Sequence, residues 1–205
     1  MDGPKAPIQD PIAALAAAIP QAAPGKKRGL PPVHLWNPPY CGDIGLRIAR
    51  DGSWHQGEVR FTREPLVRLF STILRKEDDG KTYLVTPVEK IVIQVEDAPF
   101  IAVRVDRENE SGEQILKFQT NVGDEVIAGP DNPIRVETDP KTLEPAPYVL
   151  VRGKLEGRIA RASFYEMVDW AEEVETPDGP VLGLHSKGMF FPLGPASAHV
   201  LGADA

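Results

Sequence analysis

Apolar and polar positions alternate along much of this chain in short runs, and three stretches break the alternation with helical spacing. Residues 91–95, 100–106, 114–119, 125–128 and 134–137 read as successive strands. In the second of these, Ile101, Val103 and Val105 fall on one face and Ala102, Arg104 and Asp106 on the other, the pattern of a half-solvated antiparallel sheet. Residues 108–112 form a polar hairpin loop and Val122-Gly123-Asp124-Glu125 a tight turn, so neighbouring strands should pair locally.

Helical spacing is clearest after Thr62. Leu66, Val67, Leu69, Phe70, Ile73 and Leu74 share one arc of a 3.6-residue helix while Arg68 and Arg75 face away, which predicts an amphipathic helix of about three to four turns. After Ser163 the apolar set is Phe164, Met167, Val168, Ala171 and Val174, with Ser163 and Glu166 spaced as a capping box. A third, shorter helix is expected over residues 12–19, with Asp10 as cap and Pro11 at its first position.

The chain also echoes itself. Residues 48–70 lie over 149–171 without a gap at an offset of 101, matching Gly52 with Gly153, Thr62 with Ser163 and Val67 with Val168. Each copy reads strand, turn, strand, helix, then an Asp-Gly turn (Asp79-Gly80, Asp178-Gly179) and another strand (Tyr83-Leu84-Val85, Val181-Leu182-Gly183-Leu184). Chance similarity between two such units is the competing explanation; the coincidence of cap, turn and strand favours duplication. The expected fold is α+β: two repeated strand-strand-helix-strand units with antiparallel sheets, each helix closing an apolar sheet face. Residues 1–32 form an Ala/Pro-rich arm with one short helix, 33–97 a first repeat domain and 98–205 a second.

Composition narrows the function. The 18 glycines and 21 prolines make about a fifth of the 205 residues, well above the usual share, and disfavour a long helical bundle. No apolar run approaches the roughly 20 residues of a membrane span. The basic triplet Lys26-Lys27-Arg28 follows rather than precedes the apolar stretch, which argues against a signal peptide. A single cysteine, Cys41, allows no internal disulfide and no four-cysteine zinc site, and a cytoplasmic location is expected. A net charge of -7 argues against broad nucleic-acid binding but leaves room for a small anion at a local basic cluster.

Candidate chemistry is sparse. The chain contains no glycine-rich phosphate loop, no His-Glu-x-x-His and no Gly-x-Ser-x-Gly, so no cofactor is expected. His34, His55, His185 and His199 lack metal-ligand spacing. The stiff, aromatic segment Trp36-Asn37-Pro38-Pro39-Tyr40-Cys41-Gly42-Asp43 reads as a loop able to present Asn37 and Asp43, or equally as a lid over a core edge. Arg47, Arg63 and Lys90 supply positive charge. Helical arithmetic places Arg63 within an apolar arc, where it needs a carboxylate, Glu96 or Asp97 being the obvious partners, or a bound anion. Asn121 and Lys187 offer donors, and Tyr40 and Phe190 offer rings for stacking. Of the Phe190-Phe191 pair, one ring should be buried and the other left at an edge.

Five strings, Asn37-Pro38-Pro39-Tyr40-Cys41-Gly42-Asp43-Ile44, Glu64-Pro65-Leu66-Val67-Arg68-Leu69-Phe70, Leu84-Val85-Thr86-Pro87-Val88-Glu89-Lys90, Val95-Glu96-Asp97-Ala98-Pro99-Phe100 and Thr120-Asn121-Val122-Gly123-Asp124, resemble the bacterial family called domain of unknown function 1285. The resemblance covers about residues 33 to 195. It implies a duplicated α+β core, a C-terminal half superficially like a pleckstrin-homology fold, and a cleft between halves holding a nucleotide-like ligand in a signalling role. The chain departs from the family pattern at Gly45, where an acidic residue is expected, and through residues 55–61.

The leading expectation is a cytoplasmic, non-enzymatic protein that binds a small anionic or nucleotide-like ligand through Asn37, Tyr40, Asp43, Arg47, Arg63, Lys90, Asn121, Lys187 and Phe190, with a signalling protein as a further partner. Two alternatives stand beside it: an interaction module using an exposed sheet edge or the Phe190-Phe191 surface, and an enzyme acting on a phosphorylated substrate with Asp43 as base.

Overall fold

Short alternating runs separated by glycine turns build three sheets in the computed structural model, which describes residues 11–20, 29–140, 142, 144–177 and 179–196. Contacts divide the chain into two compact units, Met1–Ala49 with Ser53–Glu96 and Arg50–Gly52 with Asp97–Ala205.

The first unit holds α1 (Pro11–Ala18), β1 (Tyr40–Ile48), β2 (Trp54–Gln56), β3 (Val59–Arg60), α2 (Glu64–Ser71), β4 (Leu74–Lys76), β5 (Thr82–Val85) and β6 (Lys90–Val95). Its sheet runs in the order β3-β2-β1-β6-β5-β4. Helix α1 starts at the expected proline and buries Ile12 and Leu15. The cap expected at Asp10 lies outside the described residues. Trp54, Phe70, Ile73, Leu46 and Leu84 are essentially inaccessible and form the core.

Helix α2 is shorter than the apolar arc predicts. It stops at Ser71, and Leu74 and Arg75 belong to strand β4 instead. The hydroxyls explain the stop: Ser71 Oγ donates to the Arg68 carbonyl (2.8 Å) and Thr72 Oγ1 to that of Leu69 (2.6 Å). These bonds satisfy carbonyls that a continuing helix would need. Ile73 and Leu74 remain buried, so the same apolar residues serve the core through a strand rather than a helix face.

The second unit contains β7 (Phe100–Glu110), β8 (Glu113–Thr120), β9 (Glu125–Ile127), β10 (Ile134–Thr138), β11 (Pro145–Arg152), β12 (Leu155–Ile159), α3 (Arg161–Asp169), β13 (Glu172–Thr176), β14 (Gly179–Ser186) and β15 (Met189–Pro195). Strands β7 to β12 form a sheet in the order β10-β11-β12-β7-β8-β9, and β13-β14-β15 form a separate meander. Strand β7 runs to Glu110, so the expected five-residue loop contracts to a turn at Ser111 and Gly112, both at positive φ. The expected alternation also breaks. Ala102 opposes Thr120 while Arg104 opposes Gln119, so Val103 is an extra residue in a bulge. Ala102 and Val105 are buried and Val103 is 48% exposed.

The capping box expected at Ser163 does not form. Helix α3 begins three residues earlier, with Ala160 at the cap and no side-chain cap bond, and Ser163 is buried. Strand pairing sets that start: the Ala160 amide donates to Ala102 O (2.9 Å), extending the β12–β7 ladder directly into the helix.

The offset of 101 describes part of the repetition, laying the β1–β2 hairpin over the β11–β12 hairpin with Gly52 and Gly153 both at positive φ in the turns, and the sheets extend it. Both six-stranded sheets consist of two three-stranded meanders joined by a parallel pair, β1 with β6 and β7 with β12, among antiparallel neighbours. In each, the first strand of the first meander pairs with the last strand of the second. The echo read in the sequence recurs within this frame: a hairpin, β1-β2 and β11-β12, precedes a helix, α2 and α3, and each helix is followed by a meander, β4-β5-β6 and β13-β14-β15. The turn at Asp178 lies outside the described residues.

Candidate functional site

Two of the four basic residues singled out in the sequence, Arg47 and Lys90, are engaged by internal acids. In the first unit Arg47 Nη1 is bound by Glu96 Oε1. Lys90 Nζ donates to Glu77 Oε2 (2.8 Å) and lies 4.6 Å from the Tyr83 ring centre. Arg63 occupies the N-cap of α2 and is exposed, not set in an apolar arc, because the helix starts after it. Glu96 instead serves Arg47, and Asp97 serves Arg158.

The expected loop over residues 36–43 is half strand. Asn37 is exposed ahead of β1, whereas Tyr40 and Asp43 lie within it. Tyr40 is the register partner of Lys90 and meets Tyr83 edge-on at 6.2 Å. Asp43 Oδ1 accepts the Gly45 amide (2.7 Å), so it shapes the strand rather than standing free. Behind this strand, Arg75 Nη1 donates to the carbonyls of Val33 and Trp36, each at 2.7 Å, and its Nη2 meets Glu77. Asp79 holds the Tyr83 hydroxyl (2.7 Å), and that hydrogen bond, with burial and the neighbouring charge, pushes the phenol up to about 12.

Glu77 is the hub of this cluster. Burial alone would raise its pKa, but the hydrogen bonds and charges of Lys90 and Arg75 outweigh burial and hold it below the ordinary glutamate value. A depressed folded value means the carboxylate stabilises the fold above the ordinary glutamate range, and that contribution disappears as pH falls through the folded value. Denaturation of wild type and Glu77→Gln across acidic pH should show a stability difference near neutrality that shrinks towards zero on acidification.

In the second unit the sequence-predicted residues are dispersed. Asn121 accepts the Ile101 amide through Oδ1 (3.0 Å), and its Nδ2 would lie 2.9 Å from any Cβ added at Gly52. Gly52 has φ of +79° and would also meet Ile101 at 2.8 Å, so only glycine fits there. Lys187 sits at positive φ in the β14–β15 turn, exposed, with its amide on Gln114 O (3.1 Å). Phe191 is buried, while Phe190 is half-buried with its ring over Gly183 and 5.1 Å from His185.

The feature the sequence reading missed is a cavity of about 430 Å³ in the second unit, within the range of small-molecule sites. Arg50, Arg158 and Arg161 line it, against Asp51 and Glu144, together with Phe164 and Tyr165. Three arginines against two acids give its lining residues a net positive formal charge in a chain of net -7. Arg161 is three-quarters exposed and only 3.7 Å from Glu144, a weak pair. Its guanidinium lies 6.0 Å from the Tyr165 ring centre. Arg158 is held more firmly: Nη1 donates to Asp97 Oδ2 (2.8 Å) and to the Tyr148 hydroxyl (3.3 Å). Burial would lower its pKa, but Asp97 outweighs burial and raises it. The signal in the sequence was Arg158-Ile159-Ala160-Arg161, two arginines bracketing a strand-to-helix junction. Its meaning depended on where α3 starts.

Among the described residues no group of three or more metal-ligand side chains comes together, and no helix is long and apolar enough to cross a membrane.

Comparison with known proteins agrees with this architecture. A model described as "Domain of unknown function (DUF1285), N-terminal domain" matches residues 31–98, and one described as "Protein of unknown function (DUF1285), C-terminal domain" matches residues 99–193. The chain belongs to the DUF1285 family. A crystal structure of a DUF1285 family protein from Silicibacter pomeroyi DSS-3 is 49% identical and superposes with a TM-score of 0.80, covering 92% of this chain and 97% of that one. A DUF1285 family protein from Shewanella baltica OS155 is 26% identical with a TM-score of 0.47, covering 62% of this chain and 91% of that one. No curated protein matches. The boundary between the two DUF1285 domains, at residues 98 and 99, falls just after the Glu96-Asp97 step between the compact units.

Proposed function

We propose that this DUF1285 protein is a non-enzymatic binding protein for a small anionic, nucleotide-like ligand, acting in signal transduction. The observation that carries the reading is the arginine-lined cavity of the second unit, which pairs positive charge with two aromatic side chains. Guanidinium groups recognise phosphate through planar donor pairs, and Tyr165, 56% exposed, offers a face for a planar ring. A ligand bound and released unchanged can act only through occupancy, which is the logic of a sensor.

Thermal denaturation with AMP, ADP, ATP and pyrophosphate tests this. A true ligand at about 100 times its dissociation constant should stabilise the protein by about 2.7 kcal/mol. Arg161→Glu should weaken that ligand at least tenfold while leaving the unliganded melting temperature within error, because its pair with Glu144 is exposed and loose. Absence of stabilisation by any of the four compounds at millimolar concentration would overturn the proposal.

A further inference from the structure

Arg158 differs from Arg161, with its exposed and loose pair, in being oriented from behind. Its side chain is 31% exposed and that of Asp97 only 12%. Asp97 uses both oxygens: Oδ2 accepts Arg158 Nη1 at 2.8 Å, and Oδ1 accepts the Tyr148 hydroxyl at 2.7 Å. Arg158 Nη1 also donates to that hydroxyl oxygen at 3.3 Å, closing a three-membered network. Tyr148 is itself fixed, at 6% exposure, with the Arg135 guanidinium 4.3 Å from its ring centre. Arg135 in turn is gripped by Glu156 and Glu137.

Every hydrogen bond described for the guanidinium of Arg158 is made through Nη1, and its carbon lies 5.6 Å from the Tyr148 ring centre. Guanidinium carries five N–H donors and no acceptor, so Nε and Nη2, which make no hydrogen bond among the described residues, remain as donors on a residue that lines a cavity. A guanidinium locked by one nitrogen presents its remaining donors in a set direction, and the entropy of fixing them is already spent. A free arginine attracts any anion, whereas an oriented one selects for an oxyanion that accepts two parallel bonds.

Resting on the proposed function, we infer that Asp97 and Tyr148 are positioning residues for Arg158, and that the group they prepare it to bind is the phosphate of a phosphomonoester. A phosphate dianion engages both Arg158 and Arg161 at full charge, and the ring of an aromatic ester reaches the Phe164 and Tyr165 side of the same cavity. A carboxylate monoanion gains less from each.

The two roles Asp97 could play predict opposite signs. If it merely neutralises Arg158, Asp97→Asn removes a negative charge near the cavity and tightens anion binding. If it positions Arg158, the same change weakens binding despite the more favourable charge. Calorimetric titration of the full chain with phenyl phosphate and with benzoate reads the difference. Wild type should bind phenyl phosphate at least tenfold more tightly than benzoate. Asp97→Asn should weaken phenyl phosphate at least tenfold and benzoate by less, collapsing the ratio. Tyr148→Phe, which changes no charge, should shift the ratio the same way to a smaller extent, and it decides the matter if Asp97→Asn does not fold. Unchanged or tighter phenyl phosphate binding in these variants would overturn the positioning role while leaving the cavity as an anion site. Binding of neither probe by wild type would overturn both.

Discussion

Replacing Ser186 by alanine should cost the second unit about 2–6 kcal/mol, since two backbone groups lose their partners at about 1–3 kcal/mol each. Ser186 is the last residue of β14 and is fully inaccessible. Its hydroxyl accepts the Leu116 amide (2.9 Å) and donates to the Ala128 carbonyl (2.7 Å), so one oxygen joins the C-terminal meander to β8 and to the end of β9. A methyl group fills much the same space and makes neither bond. Neighbouring ties, from Gln114 Nε2 to His185 O (2.7 Å) and from the Lys187 amide to Gln114 O, hold the turn but do not reach these two orphaned groups. Urea denaturation should show a lower midpoint with little change in slope. An unchanged midpoint would mean that the hydroxyl is not what couples the meander to the sheet.

Local patterns were legible in the sequence wherever local forces decide. Pro11 starts α1, the turn at Asp79-Gly80 leads into the strand expected over residues 83–85, and Val122-Gly123 falls between the strands expected on either side. The strands expected at residues 91–95, 114–119 and 134–137 lie within one residue of β6, β8 and β10. The misreadings arise where a distant partner overrides local spacing. The apolar arc ending at Leu74 fits a helix as well as it fits a turn into β4, and two hydroxyls with a strand partner at Leu84 decide for the turn. Val103 completes a period-two stripe in sequence, yet pairing with β8 sets it in a bulge. The parallel pairs joining β1 to β6 and β7 to β12 leave no local mark, because each closes around several intervening elements.

The same logic governs the candidate site. Nothing near Arg47 in the sequence shows that Glu96 will take it, and nothing near Lys90 points back to Glu77. An arginine's availability is a property of the folded chain, so a list of basic residues overcounts binding groups. Arg158 and Arg161 were passed over for the converse reason. A helix start placed at Ser163 leaves Arg161 in a loop, whereas the actual start at Arg161 sets both arginines on the wall of one cavity. The Glu96-Asp97 pair was expected to serve Arg63, but its two members pair elsewhere and in different units, Glu96 with Arg47 and Asp97 with Arg158.

Gly183→Ala should destabilise the second unit by roughly 1–3 kcal/mol, towards the upper end of the overpacking range. A Cβ built at this buried position would stand 2.3 Å from Phe190 Cζ and 2.7 Å from the Phe191 carbonyl oxygen. The ring can swing aside, but the carbonyl belongs to β15 and is tied into the ladder in which Leu184 opposes Phe191. Gly183 has an ordinary negative φ, so the cost is steric and not conformational. Contact, moreover, predicts non-additivity. Phe190→Ala removes the nearer obstacle, so Gly183→Ala in that background should cost measurably less than in wild type, the remainder reporting the carbonyl clash. The cycle also separates two meanings of an exposed aromatic edge. If Phe190 is held over Gly183 as packing, the coupling is large and nucleotide-dependent stabilisation is unaffected by Phe190→Ala. If the ring instead stacks on ligand, that stabilisation falls and the coupling to Gly183 is small.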